Sequence, residues 1–243
     1  MSLFGRLLGR QKPRWDEAWH TFPGTLEGAS ALWSVDLGAV DAAPVQTLPV
    51  RVDVEARYSA DADGLPADGT QVTRLDDAVR RVVSGLDGAY VGRVAGHGRV
   101  RFTAHVPAEP PQPVTLSDGE VRTEYDPHWA YVRDALAPDD RQHRMIADLA
   151  IVGQLRDDGD PLTTPRNVAH VAVFAELLAA EDAADDLGAS GFAASVDRDD
   201  EGDFVLTAVR EDPVAPPGVH ELSWTVKETV ERHGGTYDGW SSA

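Results

Sequence analysis

Three observations predict an α+β fold in two domains. Apolar residues recur with period two in some stretches and at spacings of three and four in others, the marks of strands and helices respectively. The chain has 243 residues, more than the roughly 150 of an average domain. At Ala137-Pro138-Asp139-Asp140 a proline stops one segment and an aspartate is placed to cap the next. The expected organisation has three parts. A basic N-terminal tail covers residues 1–14, and a mostly antiparallel sheet with packed helices covers 15–137. A ferredoxin-like βαββαβ sandwich with a leading helix covers 138–243.

Each element of the first domain follows from its pattern. Ala31, Trp33, Val35 and Leu37 alternate and predict a strand. Residues 50–58 predict a second, with Val50, Val52, Val54, Ala56 and Tyr58 on one face and Arg51, Asp53, Glu55 and Arg57 on the other. The period then changes: Val72, Leu75, Val79, Val82 and Leu86 line one face of a helix that Gly85 and Gly88 help to end. Residues 89–95 and 99–106 read as strands joined in a hairpin at Gly96-His97-Gly98. In the second of them Val100, Phe102, Ala104 and Val106 are expected in the core. Arg99, Arg101, Thr103 and His105 are expected on a wet, basic face. Four prolines within 107–113 mark a loop, a short strand is expected over 121–125, and a helix is expected to begin near Pro127.

In the second domain Met145, Leu149, Val152 and Leu155 make a helical stripe. A strand over 166–173 follows, then a helix with Leu177, Ala180, Ala184 and Leu187 inward and Gly188 at its end. Strands over 192–196 and 204–209 come next, then a helix with Val219, Leu222, Val226 and Val230 inward, closed by Gly234, and a last strand to Trp240. This order puts two helices on one face of a four-stranded antiparallel sheet.

Charge narrows the function. The chain holds 22 Lys+Arg against 41 Asp+Glu, a formal net charge of −19. Residues 139–243 carry 22 acids and 8 bases, net −14, so most of the field belongs to the second domain. Such a surface repels nucleic acid and anionic membrane and suits a basic protein segment or a cation. Residues 1–14, with Arg6, Arg10, Lys12 and Arg14 and no acid, run against the trend and read as a tail. The absence of cysteine excludes disulfides, thiolate metal sites and thiol nucleophiles. No stretch reaches the ~18 apolar residues of a membrane span, and the opening residues lack the apolar core of a secretory signal, so a cytoplasmic protein is expected.

Catalytic signatures fail one by one. Asp197-Arg198-Asp199-Asp200-Glu201-Gly202 begins like a calcium loop, but its twelfth position is Ala208 where a bidentate Glu is required. It reads as a polar turn. The eight histidines form no HExxH pair, Gly188-Ala189-Ser190-Gly191 lacks the spacing of a serine elbow, and Gly96-His97-Gly98 opens a turn. His170, in phase with Val168, Ala172 and Phe174, reads as a packing histidine. No catalytic residue, cofactor or metal ligand is assigned. Two other classes stay open. One is a small-molecule-binding or enzymatic site in the first domain or the interdomain cleft, bringing His105, His128 or His143 near a carboxylate. The other is a nucleic-acid mimic acting by charge alone.

The C-terminal residues carry a resemblance. Pro165-Arg166-Asn167-Val168-Ala169-His170, Phe174, Gly191-Phe192 and His233-Gly234-Gly235-Thr236-Tyr237-Asp238-Gly239-Trp240 stand in the order and on the elements seen in one family. Over about 100 residues this half resembles the regulator of ribonuclease E activity B family. The N-terminal half has Trp15, Asp61-Ala62-Asp63-Gly64-Leu65-Pro66, Val91-Gly92-Arg93 and Asp126-Pro127-His128-Trp129-Ala130-Tyr131. It resembles a bacterial domain of uncharacterised function, from whose pattern Val132 departs, an aromatic being usual there. The resemblance implies a non-catalytic protein inhibitor that binds ribonuclease E and alters which transcripts are cut. Its motif positions are Arg166, His170, Phe174, Gly191, Phe192, Tyr237, Asp238, Gly239 and Trp240, as partner contacts or as structure.

Overall fold

The computed structural model describes residues 15–110 and 119–242. The basic stretch 1–14 and residues 111–113 of the expected proline loop lie outside the described residues. Two compact units part between Asp139 and Asp140.

The first unit is built on six antiparallel strands: β1 (Trp19–Leu26), β2 (Ala29–Asp36), β3 (Val50–Arg57), β4 (Ala89–Gly96), β5 (Arg99–Val106) and β6 (Gly119–Tyr125). Their order is β1-β2-β4-β5-β3-β6. Helices α1 (Leu37–Ala42) and α2 (Gly69–Gly85) are capped by the Asp36 and Asp68 carboxylates, which accept from Gly38 and Thr70 N–H. The expected hairpin at Gly96-His97-Gly98 is present, turning through His97 (φ 53°) and Gly98 (φ 69°). Two successive residues of positive φ match the right-handed twist of the strands they join.

Three features of this unit depart from expectation. β1 is a strand that the pattern did not announce, because only Phe22 of its eight residues is buried and an edge strand needs no alternation. The buried line of α2 runs through Val72, Asp76, Val79 and Val83, so a carboxylate stands where an apolar residue was expected and Val83 replaces Val82. The outer face of β5 is not uniformly wet: Arg99 and Arg101 are exposed, but Thr103 and His105 are buried. The cause is the segment after β6. In place of a regular helix from Pro127, the chain turns, forms a short π-helical stretch (Val132–Leu136), and lays Trp129 flat on the His105 ring at 4.0 Å. Asp126 holds the turn by accepting from Ala130 N–H at 2.9 Å.

The second unit runs α3 (Asp140–Asp157), β7 (Arg166–Phe174), α4 (Leu177–Ala189), β8 (Ala193–Arg198), β9 (Phe204–Asp212), α5 (Gly218–Arg232) and β10 (Thr236–Ser242). The sheet order β10-β7-β9-β8, every pair antiparallel, is the ferredoxin-like arrangement. Ala180, Ala183 and Leu187 of α4 and Val226 and Val230 of α5 pack on Ala172, Phe174, Leu206 and Ala208. Small alanines let α4 lie close to the sheet. Three expectations are corrected here. Leu177 is 43% exposed, because the helix turns its Ala180–Ala183–Leu187 line inward instead. The left-handed residue beyond α4 is Gly191 (φ 89°), not Gly188. On α3 the buried residues are Asp148 and Val152, while Met145 and Leu149 are half-buried.

One glycine decides how β10 enters. A Cβ on Gly235 would stand 2.4 Å from the Phe174 ring, so the strand approaches a core aromatic through a position that holds no side chain. Gly235→Ala is expected to lower unfolding stability by about 1–3 kcal/mol through overpacking. Gly188→Ala, in a helix with nothing within 4 Å of the new methyl, is expected to be neutral or stabilising by up to ~1 kcal/mol. Urea unfolding of the two variants measures the contrast.

Candidate functional site

One buried carboxylate gathers the last motif position, Trp240, with three residues outside the motif. Asp148 of α3 is fully buried, where a bare charge is costly unless every lone pair is met. Its Oδ1 accepts from Trp240 Nε1 at 2.8 Å and from Arg144 Nε at 2.9 Å. Its Oδ2 accepts from Ser223 Oγ and His220 Nδ1, the latter at 3.2 Å. Helix α3 thereby ties itself to α5 through Ser223 and His220 and to β10 through Trp240. The reach of Trp240 depends on the bulge between Tyr237 and Gly239, where Gly239 has φ 138° and a Cβ would meet Arg144 Nη1 at 3.7 Å. No triad forms: Ser223 addresses the carboxylate and not the imidazole.

A second motif group lies beside it. His170 is fully buried and its Nδ1 is 2.7 Å from the Tyr237 hydroxyl, while the Phe192 ring meets it edge-on at 5.7 Å. Arg210 lies over the other aromatic partner, 4.5 Å from the Phe192 centroid. Phe174 and Phe192 are core, Gly191 turns the chain beyond α4, and Arg166 grips Asp160 with two N–H groups, closing the loop between α3 and β7. Asp238, at the bulge, is exposed. The motif therefore assembles a frame, and among its nine positions Asp238 is the acid it presents to solvent.

Sequence reasoning missed Asp148, Arg144, Ser223 and His220. The signal available was an acid in phase with Val152, four residues after an arginine. The first unit repeats the device. Asp76 of α2 accepts from Tyr90 OH at 2.7 Å, from Arg80 Nε at 2.6 Å and from Arg93. Burial pushes its carboxyl up, but the Arg80 and Tyr90 hydrogen bonds and the Arg93 charge outweigh that and hold it below its usual value. Arg80 also lies 4.3 Å from the ring centroids of both Trp19 and Tyr90.

The first unit also has a shallow basin of about 260 Å³ on the outer face of its sheet. Its charges are already paired: Arg51 with Asp53 at 2.9 Å and Glu124 at 2.6 Å, Arg101 with Glu55 at 3.3 Å. His105 faces the Leu48 carbonyl at 3.1 Å, and His128 and His143 are exposed. Among the described residues no group of three or more His, Asp and Glu is placed to hold a metal ion.

Burial lowers both His105 and His170 to about 4, against some opposition from nearby acids, Asp126 for the first and Asp148 and Asp212 for the second. Each Nε2 is buried without a hydrogen-bond partner among the described residues. Both imidazoles are therefore neutral when folded and titrate near 6.5 when unfolded. Between those values the unfolded chain binds more protons, so the stability they contribute is full above 6.5 and is lost as pH falls toward 4. At pH ~5 the loss is about 2 kcal/mol for each histidine. Urea midpoints at pH ~7 and ~5 read this directly, and His105→Gln should remove about half of the difference.

Asp148→Asn is expected to cost about 3–5 kcal/mol, because Arg144 loses its counter-charge inside the fold. Conservative replacement of an exposed acid, Asp157→Asn, should cost less than ~0.5 kcal/mol. Tryptophan fluorescence during denaturation, with Trp240 adjoining the site, follows both.

No curated protein matches the chain. Residues 17–137 match a family of unknown function (DUF695), and residues 145–242 match the family Regulator of ribonuclease activity B. The C-terminal part of the chain is thus similar to the Regulator of ribonuclease activity B family, and the part before it to that family of unknown function.

Proposed function

We propose that the protein is a non-catalytic regulator that binds a ribonuclease of the ribonuclease E type in the cytoplasm and restrains its cleavage of RNA. The observation that carries this reading is the match of residues 145–242 to a family of ribonuclease activity regulators. Electrostatics support it. The second domain holds 22 acids against 8 bases, and six of those bases are tied within it. Arg141 pairs with Glu221, Arg144 with Asp148, Arg166 with Asp160, Arg210 with Asp212, Lys227 with Glu231 and Arg232 with Asp186. Acids therefore outnumber bases on this domain, and its surface carries a net negative charge. Such a surface attracts the arginine-rich segments by which a nuclease holds RNA, and it competes with RNA for them.

The mechanism that follows is occlusion. The regulator leaves RNA chemically untouched, covers the cationic surface that recruits RNA, and lowers cleavage in proportion to the nuclease it occupies. The test mixes the purified full chain with a purified ribonuclease E-type endonuclease and a labelled transcript. Cleavage is expected to fall as the complex forms, with no cleavage by the protein alone. Complex formation should weaken by ~10-fold or more when salt rises from about 0.05 to about 0.5 M, since the attraction is screened. Unchanged cleavage at saturating protein, or the absence of a complex at low salt, would overturn the reading.

A further inference from the structure

Among the described residues the exposed large hydrophobic side chains are Leu26, Tyr125, Leu177 and Leu178. Two of these four are consecutive, at the first turn of α4, with Leu177 43% and Leu178 68% exposed. Their setting is charged. Leu178, Glu181, Asp182 and Asp185 fall at spacings of three, four and seven, so one outer stripe of α4 carries a leucine followed by three acids. Residues 175–197 contain six acids and no lysine or arginine. Register extends the surround. Phe174 pairs with Phe204 at the end of β7 and β9, so the chain entering α4 and the β8–β9 turn lie at the same end of the sheet. That turn carries Asp199, Asp200, Glu201 and Asp203. It is a built loop: Asp199 Oδ1 accepts from the N–H groups of Glu201, Gly202 and Asp203 at 3.0, 2.8 and 2.9 Å. Its one base, Arg198, donates to the Gly202 carbonyl and lies 5.6 Å from the Phe204 centroid.

Apolar side chains left in water amid acids have no folding rationale, because the α4 core line is complete in Ala180, Ala183 and Leu187. We propose that Leu177 and Leu178 are the apolar anchor of a docking surface for a basic protein segment that carries its own apolar side chain among arginines. The inference rests on the ribonuclease-binding reading and names its contact. Charge chooses the occupant: a second copy of this chain would bring acid against acid, whereas an arginine-rich segment finds Glu181, Asp182 and Asp185 outside the ion pairs of the described residues, Asp186 being the acid taken by Arg232 and His233. The leucines supply the selectivity that charge alone lacks, since each buries apolar area only when the partner presents some in the right place.

The test uses the full chain and the double variant Leu177→Ser/Leu178→Ser, which changes no charge. Asp157→Asn/Asp158→Asn serves as the control for net charge. The probes are a purified ribonuclease E-type nuclease, a synthetic peptide rich in arginine with a central leucine pair, and the same peptide with serines for leucines. The leucine variant is expected to keep the wild-type melting midpoint and to bind both nuclease and leucine peptide ~10-fold more weakly, with little change in the control. If wild type binds the nuclease and the leucine variant binds it equally well, this surface is wrong and the regulatory reading stands. If wild type binds the leucine peptide through these leucines but not the nuclease, the surface stands and the ribonuclease reading falls. Equal binding of the two peptides, or of neither, overturns the surface. Deleting residues 1–14, which hold Leu3, Phe4, Leu7 and Leu8 among four bases, should leave peptide affinity unchanged; a rise would assign the surface to the chain's own basic segment and overturn the proposal.

Discussion

Each domain depends on a carboxylate buried on a helix that faces its sheet. Asp76 and Asp148 occupy core positions of α2 and α3, and each is met by an arginine one turn away on the same helix and by an aromatic donor on a strand, Tyr90 and Trp240. A hydrophobic contact of equal area would hold these helices as firmly, because desolvating an ion pair offsets much of its Coulombic gain. What the carboxylate adds is direction. Apolar stripes slide and rotate at small cost, whereas donors converging on two oxygens, three at Asp76 and four at Asp148, accept one rotation and one height. For α3 this matters most, since only Val152 joins Asp148 among its buried residues. Its position is set by polar contacts to α5 and β10 more than by an apolar stripe.

The same constraint explains what the family pattern encodes. The glycines of the terminal strand let it pass the Phe174 ring and then bulge, and the bulge delivers Trp240 to Asp148. Tyr237, one residue before the bulge, reaches His170 on the neighbouring strand. His170 and Trp240 are directly paired across β7 and β10. The pattern is thus a record of how β10 closes the sheet and captures the leading helix.

Much of the fold was legible in the sequence, and the reasons it was or was not are local. The second domain announced itself because its strands bury one face and alternate cleanly, as in Val168, His170, Ala172 and Phe174. The hairpin at His97-Gly98 was legible because its turn chemistry is short-range. β1 was invisible since an edge strand with one buried residue has no period to read. His105 was misjudged because its burial comes from Trp129, twenty-four residues away in the chain, and no pattern within β5 carries that information. Leu177 was misplaced for a related reason: a leucine at a plausible spacing looks like core, and only the choice of the alanine line as the packed face puts it outside. Asp148 escaped because its partners lie on α5 and β10, so its function is a property of three-dimensional convergence.

These two kinds of residue, motif and surface, divide the labour of the second domain. Four of the nine motif positions, His170, Phe174, Phe192 and Trp240, are buried, and buried residues tolerate little change because each is wedged among several others. The exposed leucines and the acids beside them are free of such constraint: Leu178, Glu181, Asp182 and Asp185 touch no part of the buried network around Asp148. The outer face of α4 can therefore be altered without disturbing how β10 captures α3. In the docking proposed above, the frame is locked by polar geometry, charge supplies the affinity for a basic segment, and the choice among such segments comes from where the leucines stand.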